Sequence, residues 1–397
     1  MPQLSTRVTS INAGGSDGWD VFYRARAMVA AGERVTELTI GEHDTGTDAR
    51  ILDAMHAAAR GGHTGYAMVP GTPGLRDAVA ARIAARTGVP TTRDNILITP
   101  GGQAALFAAH MLACDPGETA LYVDPYYATY PGSIRSAGAV PRAVITRADA
   151  GFLPEASDVD ALAGQTQARS LLINTPNNPT GAVYPRATLA ALAQVAEARD
   201  LWLISDEVYD TQVWEGAHLS PRALPGMAER TLVIGSMSKS HAMTGSRIGW
   251  ICGPVPAIDG LVDLATNTTY GVPGYIQDAS LFALNQGDDV EAAVAAPFRR
   301  RRDLAQAVIG RQNVVRAIPA QGAMYIMLDI RATGLDGEAF ANALLDAHRI
   351  AVMPGESFGQ AAAGHVRVAL TVEDTALETA LTTLCAFAAS LAHAPAV

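Results

Sequence analysis

The sequence contains a single lysine, Lys239, so the other 28 of its 29 cationic residues are arginines. Positive charge is scarce overall, since 39 acidic residues give a formal net charge of −10. General nucleic-acid binding requires a basic surface, and this balance argues against a nucleic-acid partner. The one dense cationic run, Arg299–Arg302, falls in a predicted helix, where a solvated face explains it. The composition raises the question of why a lysine stands at position 239.

The sequence also lacks the features of secreted, membrane and metal proteins. Its three cysteines, at positions 114, 252 and 385, are odd in number and widely spaced, so neither a disulfide framework nor a zinc site is indicated. The first residues have no apolar segment of the kind found in signal peptides. No apolar run approaches the length of about 18 residues that a membrane span needs. We therefore expect a cytoplasmic protein without a membrane partner.

Short apolar runs alternate with helical stretches between about residues 95 and 255. The runs, each a predicted strand, are NILIT, ALYVDP, AVPRAVI, SLLINTP, LWLISDE, TLVIGS and RIGWICG. This alternation is typical of an α/β fold with a mostly parallel sheet covered on both faces. A helix within residues 17–31, a strand VTELTI and an α+β region after about residue 285 complete the chain. In that region we predict a long helix, a strand at GAMYIMLDI, a helix at 337–348, a strand near HVRVAL and a terminal helix. We predict a large domain over residues 48–284 and a smaller α+β domain from residues 1–47 and 285–397.

Polar and aromatic residues follow several of the predicted strands directly. In open α/β sheets, ligands bind at the carboxyl ends of the strands. The segments at these ends are Pro100–Gln103, Asp124–Tyr127, Thr175–Pro179, Asp206–Tyr209 and Ser236–Lys239.

The isolated lysine at one of these strand ends indicates imine chemistry. A primary amine condenses with an aldehyde, whereas a guanidinium stays protonated and is a poor nucleophile. A surface lysine and a phosphate-binding lysine are the alternatives. A P-loop does not fit, because Val233 and Ser238 stand where its two glycines belong. A Tyr-x-x-x-Lys reductase pair does not fit either, since Gly235 lies four residues before the lysine.

An aldehyde ligand that carries a phosphate and a pyridine ring would find suitable partners at the same edge. The Gly101-Gly102-Gln103 turn opens a helix, where backbone N–H groups attract an anion, and Ser236, Ser238 and Arg247 could complete the cradle. Asp206 could pair with a protonated ring nitrogen. Tyr209 and Asn178 could reach a ring oxygen, and Tyr127 could stack on the ring. Singly, each could be a helix cap, a turn residue or a core aromatic; jointly they favour a cofactor.

The sequence resembles the class I/II pyridoxal-phosphate aminotransferases of fold type I over nearly its whole length. The motifs that carry the resemblance are Tyr66–Arg76, Asn177–Gly181, Asp206–Tyr209, Ser236–Lys239, Gly245–Gly249 and His365–Arg367. The resemblance implies a large domain with a seven-stranded, mostly parallel sheet. It also implies that Lys239 binds pyridoxal phosphate covalently and acts as the base, that Asp206 pairs with the ring nitrogen, and that Asn178 and Tyr209 hold the ring oxygen.

The resemblance further implies the rest of the active site. Tyr127 would stack on the ring, and the phosphate would be held by Gly102, Gln103, Ser236, Ser238 and Arg247. Tyr66 would reach it from the partner subunit of a homodimer. Substrate contacts would come from Arg367 on the α-carboxylate, from Asn178 and from the backbone of Gly41. Trp19 falls near the family's substrate gate, although it could equally be a core residue, and Tyr270 lies on a loop that enters the neighbouring site. Without the resemblance, Arg367 could also be an exposed strand residue.

One segment departs from the family pattern. The usual Gly-Glu-Pro-Asp-Phe reads Gly41-Glu42-His43-Asp44-Thr45, which should alter the loop beside the substrate mouth. We interpret His43 as a loop residue rather than a base, since Lys239 already serves as one. The segment Ser238–Gly245, with Trp19 and Gly364–Arg367, is most similar to the arginine–pyruvate transaminase branch of the family.

The expected reaction is transfer of an amino group from an L-amino acid to a 2-oxo acid with ping-pong kinetics. A β-lyase or decarboxylase on the same fold is one alternative, and a non-catalytic regulator that binds the cofactor is another. The regulator would need an added DNA-binding segment, and we expect none. The sequence leaves open which amino acid and which oxo acid are used.

Overall fold

The computed structural model describes residues 2–13 and 18–392. Its strands are β1 (Thr36–Leu38), β2 (Ile96–Thr99), β3 (Thr119–Asp124), β4 (Val140–Ile145), β5 (Ser170–Asn174), β6 (Trp202–Asp206), β7 (Thr231–Ser236), β8 (Gly249–Cys252), β9 (Arg316–Ala317), β10 (Tyr325–Asp329), β11 (Ile350–Pro354) and β12 (His365–Ala369).

The helices connect and cover these strands. They are α1 (Thr6–Thr9), α2 (Asp20–Ala30), α3 (Ala49–Arg60), α4 (Pro73–Thr87), α5 (Gly101–Ala113), α6 (Tyr130–Ser136), α7 (Ala156–Thr166), α8 (Arg186–Ala198), α9 (Met237–Ser240), α10 (Val255–Thr266), α11 (Gly274–Leu284), α12 (Asp288–Ile309), α13 (Gly337–His348) and α14 (Asp374–Ala392). The helix predicted within residues 17–31 is α2; position 17 lies outside the described residues.

The seven predicted strands of the central region form one sheet in the order β2-β8-β7-β6-β5-β3-β4. Strand β8 runs antiparallel to β2 and β7, and the other neighbours are parallel. Apolar clusters lie on both faces, one including Leu106, Ile134 and Ile258 and another including Val159 and Leu189. Both faces are covered because the strands are apolar throughout, as expected for a mainly parallel sheet. The predicted α/β fold class is confirmed.

A second sheet has the order β1-β11-β12-β10-β9, with β1 and β11 parallel and the other pairs antiparallel. Strand β11, which follows α13 almost without a break, was not predicted from the sequence. The helix predicted at 337–348 is α13, and the Asp336 side chain caps it by accepting a hydrogen bond from the backbone N–H of Ala339 at 2.7 Å. The domain boundaries at 47/48 and 284/285 stay a prediction.

Helix α14 is an exception to the expectation that no apolar run is long enough to span a membrane. By length and composition alone it could do so, with a mean hydropathy of 1.3. In the structure it packs on α12, and its Leu377, Leu381 and Leu384 are fully buried in the core of the second sheet. Burying a leucine stabilises a fold by about 1.5–3 kcal/mol, so these side chains stabilise the packing of one face of α14 on that core.

Candidate active site

A pocket of about 270 Å³ lies between the two sheets, where β5, β6 and β7 end and α5 begins. It brings together most of the residues predicted for the site. Those that line it are Trp19, Gly41, Gly102, Gln103, Tyr127, Asn178, Asp206, Tyr209, Ser236, Ser238, Lys239, Arg247 and Arg367. The pocket is also lined by residues that were not predicted for the site, among them Glu42, Tyr130, Asn174, Thr244 and Tyr325. The pocket therefore lies at the sheet edge that the strand ends indicated.

Lys239 lies on the short helix α9 immediately after β7. Ser236 caps this helix, since its hydroxyl accepts a hydrogen bond from the backbone N–H of Ser238 at 3.1 Å. The lysine Nζ donates a hydrogen bond to the backbone carbonyl of Gly41. Burial lowers the pKa of Lys239; Tyr325 opposes this, and the charge of Arg367 adds to it. More of the amine is therefore neutral, as a nucleophile or base requires.

Asp206 is the buried last residue of β6, in register with Asn174 of β5. Its Oδ2 accepts a hydrogen bond from the Tyr130 hydroxyl at 2.7 Å, and its Oδ1 accepts one from the backbone N–H of Val208 at 3.2 Å. Burial raises the pKa of Asp206 to about 6, while these two donors act in the opposite direction. A buried carboxylate without a cation is costly, so this site suits a cationic ring nitrogen.

An anion cradle lies beside the lysine, at the N-terminus of α5. Gly101 has a φ of +79°, and a Cβ there would come 2.5 Å from Nη2 of Arg247. Gly249 is also packed closely, because a Cβ there would lie 3.0 Å from the backbone nitrogen of Gly102. The glycines thus let the guanidinium and the first N–H groups of α5 converge on one place. Donors arranged in this way fit a phosphate.

The residues predicted to contact a cofactor ring or its oxygen line the same pocket. Oδ1 of Asn178 accepts a hydrogen bond from Arg367 at 2.9 Å, which leaves the amide N–H groups of Asn178 available as donors. The Tyr209 hydroxyl lies 2.9 Å from that of Tyr325, and burial raises the pKa of Tyr209, so its proton is retained. Burial also raises the pKa of Tyr127 to about 12.

Arg367 is almost fully buried on β12, so the alternative of an exposed strand arginine is wrong. Its guanidinium lies between the rings of Tyr325 and Phe358, 4.4 Å from each centroid. It also donates hydrogen bonds to Asn178 and to the backbone carbonyl of Thr39. These contacts fix a planar cation at the pocket wall, which suits a carboxylate ligand.

Two predicted residues lie outside this pocket. Tyr66 is 92% exposed and Tyr270 is 53% exposed, and their rings contact each other at a centroid distance of 5.2 Å. Trp19, in contrast, lies at the pocket, with its ring edge-on to Tyr127 at 6.4 Å. Tyr66 and Tyr270 thus lie on the surface, where a partner subunit could meet them.

The loop that departs from the family pattern places His43 behind the pocket. The imidazole packs edge-on against Phe298 at 5.1 Å and does not line the pocket. Burial, followed by the charge of Lys239, lowers the pKa of His43 to about 4, so the ring is neutral at pH 7. Asp44 forms an ion pair with Arg301 at 2.6 Å. These contacts favour the interpretation of His43 as a loop residue.

Tyr130 and Tyr325 contact the predicted site residues but were missed by sequence reasoning. Tyr130 follows Tyr127 by three residues, and this spacing was the only local signal. Tyr325 lies on β10, 116 residues beyond Tyr209. No groups of His, Cys, Asp and Glu that could hold a metal ion occur within the described part of the chain.

Comparisons with known proteins identify the family of the chain. The family model "Aminotransferase class I and II" matches residues 33–384. Arginine–pyruvate transaminase AruH of Pseudomonas aeruginosa is 40% identical over 95% of this chain and 96% of its own length. Aspartate/prephenate aminotransferase of Thermus thermophilus is 36% identical over 96% and 97%.

The structure is similar to solved structures of the same kind. The aspartate aminotransferase from Thermus thermophilus with maleate has a TM-score of 0.90 and 34% identity, covering 98% of this chain and all of that one. An aromatic aminotransferase from Pyrococcus horikoshii has a TM-score of 0.86 and 29% identity, covering 92% and 99%. The predicted family is thereby confirmed: the chain belongs to the class I and II aminotransferases, enzymes that use pyridoxal phosphate.

Proposed function

We propose that the pocket around Lys239 is the site where this aminotransferase moves an amino group from an L-amino acid to a 2-oxo acid. A single observation carries the proposal: the amine of Lys239, the carboxylate of Asp206 and the guanidinium of Arg367 line one pocket. When bound, pyridoxal phosphate supplies an aldehyde that takes up the amino group and a protonated ring that withdraws electrons from the substrate Cα.

Different groups of lining residues fit different parts of the cofactor. The first N–H groups of α5, with Ser236, Ser238 and Arg247, would hold the phosphate. Asp206 would hold a proton at the ring nitrogen, and Tyr130 would keep the Asp206 carboxylate ionised. The Tyr209 hydroxyl and the amide N–H groups of Asn178 would donate to the ring oxygen, and Tyr127 would cover the ring.

Lys239 and Arg367 would act directly on the substrate. Arg367 would bind the α-carboxylate and so turn the Cα–H bond toward Nζ of Lys239. The lysine would remove that proton as a neutral amine, which its lowered pKa supports. Its hydrogen bond to the carbonyl of Gly41 would orient Nζ between transfers.

The charges of the pocket support a cationic or neutral substrate side chain. The lining cations are Lys239, Arg247 and Arg367, and each has a proposed role. Of the lining acids, Asp206 would serve the ring, which leaves Glu42 at the mouth with a 3.3 Å hydrogen bond from the Thr244 hydroxyl. A carboxylate on the substrate side chain would thus lie near an acid, and none of the lining cations would be free to pair with it. The segment from residue 266 to 274, around Tyr270, would bring no charge from a partner subunit.

We therefore propose arginine as the amino donor and pyruvate as the acceptor, as in the name of the Pseudomonas relative. The test uses purified holoenzyme with arginine, ornithine, alanine, aspartate and glutamate, each paired with pyruvate and with 2-oxoglutarate. We expect kcat/KM to be highest for arginine with pyruvate, with parallel lines in double-reciprocal plots. A preference for aspartate or glutamate would contradict the proposed substrate class.

The variant Glu42→Gln tests the acid at the mouth. Because Glu42 is exposed, an ion pair there is worth about 0–1 kcal/mol, and kcat/KM for arginine should fall by roughly two- to fivefold. The value for alanine should stay unchanged. Glu33→Gln is the matched control, since Glu33 pairs with Arg349 at 2.6 Å outside the pocket. An equal loss for arginine and alanine would refute a role for Glu42 in side-chain selection.

We also propose that the enzyme is a homodimer in which Tyr66 completes the phosphate site of the partner subunit. The exposure of Tyr66 and its contact with Tyr270 support this arrangement. Coexpression of Lys239→Ala with Tyr66→Phe would test it. In mixed dimers one site would combine a normal lysine with a normal tyrosine, so activity should recover above that of either variant alone. Absence of recovery in isolated mixed dimers would contradict shared sites.

A further inference from the structure

Asp124, the last residue of β3, holds a loop of the other sheet. Its side chain is buried, its Oδ2 accepts a hydrogen bond from the backbone N–H of Gln360 at 2.9 Å, and its Oδ1 accepts one from that of Ala361 at 3.2 Å. Gly359 is packed so closely that a Cβ there would lie 2.1 Å from Oδ1 of Asp124. The carboxylate therefore joins the end of the seven-stranded sheet to the segment between β11 and β12.

The same segment carries Phe358, which contacts the predicted carboxylate-binding arginine. The backbone N–H of Tyr126, two residues after Asp124, donates a hydrogen bond to the carbonyl of Phe358 at 2.9 Å. The Phe358 ring is fully buried and lies 4.4 Å from the guanidinium carbon of Arg367. Three hydrogen bonds between the end of β3 and this segment thus fix the ring that supports Arg367 on one face.

The chemistry of Asp124 argues for a specific task. Burial raises the pKa of Asp124 to about 6, although the two backbone N–H groups oppose this. Holding a charge there is costly unless every oxygen is paired. Asparagine could accept only one of the two hydrogen bonds, because its amide nitrogen would face an N–H group. An apolar residue could accept neither.

We propose that Asp124 is a positioning residue for substrate recognition, which acts through Phe358 to hold the Arg367 guanidinium against the substrate α-carboxylate. This inference rests on the proposed role of Arg367. The α-carboxylate of the substrate would remain bound to Arg367 throughout amino-group transfer, so a displaced guanidinium weakens substrate and transition-state binding alike. The effect then falls on KM and leaves kcat largely unchanged.

The central experiment compares Asp124→Asn with the wild-type holoenzyme. KM for the amino acid and for the 2-oxo acid should rise about tenfold, because a displaced Arg367 guanidinium would lose about one hydrogen bond to the substrate carboxylate. The inhibition constant of propionate, a carboxylate that cannot react, should rise by the same factor. Preference for alanine over ethylamine should fall in parallel. An unchanged KM and inhibition constant, or a fall in kcat alone, would overturn the proposal.

A control and a second variant separate positioning from damage to the fold. Glu356 also holds the segment, but one oxygen, Oε1, accepts both the Gly337 and the Gly364 N–H groups, at 3.0 and 2.9 Å. Glu356→Gln keeps that oxygen and should leave KM unchanged. Phe358→Leu should raise KM, and its effect should not add to that of Asp124→Asn, because both act on one contact. Fully additive effects would overturn the relay.

The same assays separate failure of this inference from failure of the proposed function. If Arg367→Lys in an otherwise normal enzyme leaves KM and propionate inhibition unchanged, Arg367 does not bind the carboxylate and the proposed function is at fault. If Arg367→Lys has its effect and Asp124→Asn has none, only the positioning role of Asp124 is wrong.

Discussion

The Tyr130 hydroxyl donates a 2.7 Å hydrogen bond to Oδ2 of Asp206, so the buried acid at the pocket floor is paired with a neutral donor. Burial alone would favour the protonated acid, and a donor to the carboxylate form opposes this. Tyr130 thus keeps Asp206 closer to the ionised state in which it can pair with a cationic ring.

Replacing Tyr130 by phenylalanine should therefore weaken cofactor binding at neutral pH. Without the donor, the pKa of Asp206 should rise above about 6, and less of the group would be ionised at pH 7. A hydrogen bond to a charged group is worth about 1.5–3 kcal/mol, so we expect at least a tenfold weaker affinity for pyridoxal phosphate. Affinity should recover as pH rises, because the acid then ionises. Titration of apoprotein at several pH values measures this.

The control for this prediction is Tyr184→Phe. Tyr184 is equally buried, and its hydroxyl has no hydrogen-bond partner within the described part of the chain. Removing it should leave cofactor affinity unchanged. Equal losses in the two variants would mean that Tyr130 acts only through packing.

Lys239→Arg should be as inactive as Lys239→Ala. Arginine keeps the charge, but its guanidinium remains protonated and can neither condense with an aldehyde nor accept the α-proton. Loss of the base alone reduces rates by about 10²–10⁴-fold. Steady-state assays give the rate, and borohydride reduction followed by mass spectrometry reports covalent attachment. Turnover of Lys239→Arg within tenfold of the wild type would contradict the proposed chemistry.

Arg367→Lys should raise KM for both substrates by about a hundredfold. Lysine cannot form the paired N–H contacts with a carboxylate and cannot stack between Tyr325 and Phe358. The reaction with ethylamine, which has no carboxylate, is the internal control and should proceed at a similar rate in both enzymes. If the rates with alanine and with ethylamine fall by the same factor, Arg367 has a purely structural role.

His110 should make the fold less stable at acid pH. It is fully buried on α5, neither ring nitrogen has a hydrogen-bond partner among residues 2–13 and 18–392, and burial lowers its pKa from 6.5 to about 4. Between pH 6.5 and 4 the unfolded chain takes up a proton that the folded chain does not. The free energy of unfolding therefore falls as pH falls through this window.

His110→Met removes this group and should abolish its share of the acid loss. We compare the free energy of unfolding of the variant with that of the wild type at each pH. Between pH 8 and pH 5 this difference should shift by roughly 2 kcal/mol in favour of the variant, since each pKa unit corresponds to about 1.36 kcal/mol. Urea unfolding at both pH values measures the difference. The comparison must be between variant and wild type because burial also lowers the pKa of His43 and His241 to about 4. A difference that is the same at both pH values would contradict the assignment.

Several parts of the fold and site could be predicted because their signals are local. Each of the seven strands of the large sheet is a short apolar run bounded by polar residues, and such runs specify buried strands wherever they occur. Lys239, Asp206 and Asn178 directly follow such runs or lie a few residues beyond them, so predicting the strands also predicted the edge where these residues meet. Strand β11 was not predicted because its apolar residues follow α13 so closely that the helical and the strand periodicity cannot be separated.

The sequence by itself determined which chemistry the chain can perform, since a lone amine, an acid and a glycine turn at the ends of predicted strands are properties of short segments. Only the tertiary structure decided what each group contacts. Arg367 meets Asn178 across 189 residues, and Lys239 meets Gly41 across 198. Local sequence sets backbone conformation and the face on which a side chain lies. The partner on that face depends on how distant segments pack together, and the buried pairings of Asp206 with Tyr130 and of Asp124 with the Phe358 segment follow from that packing.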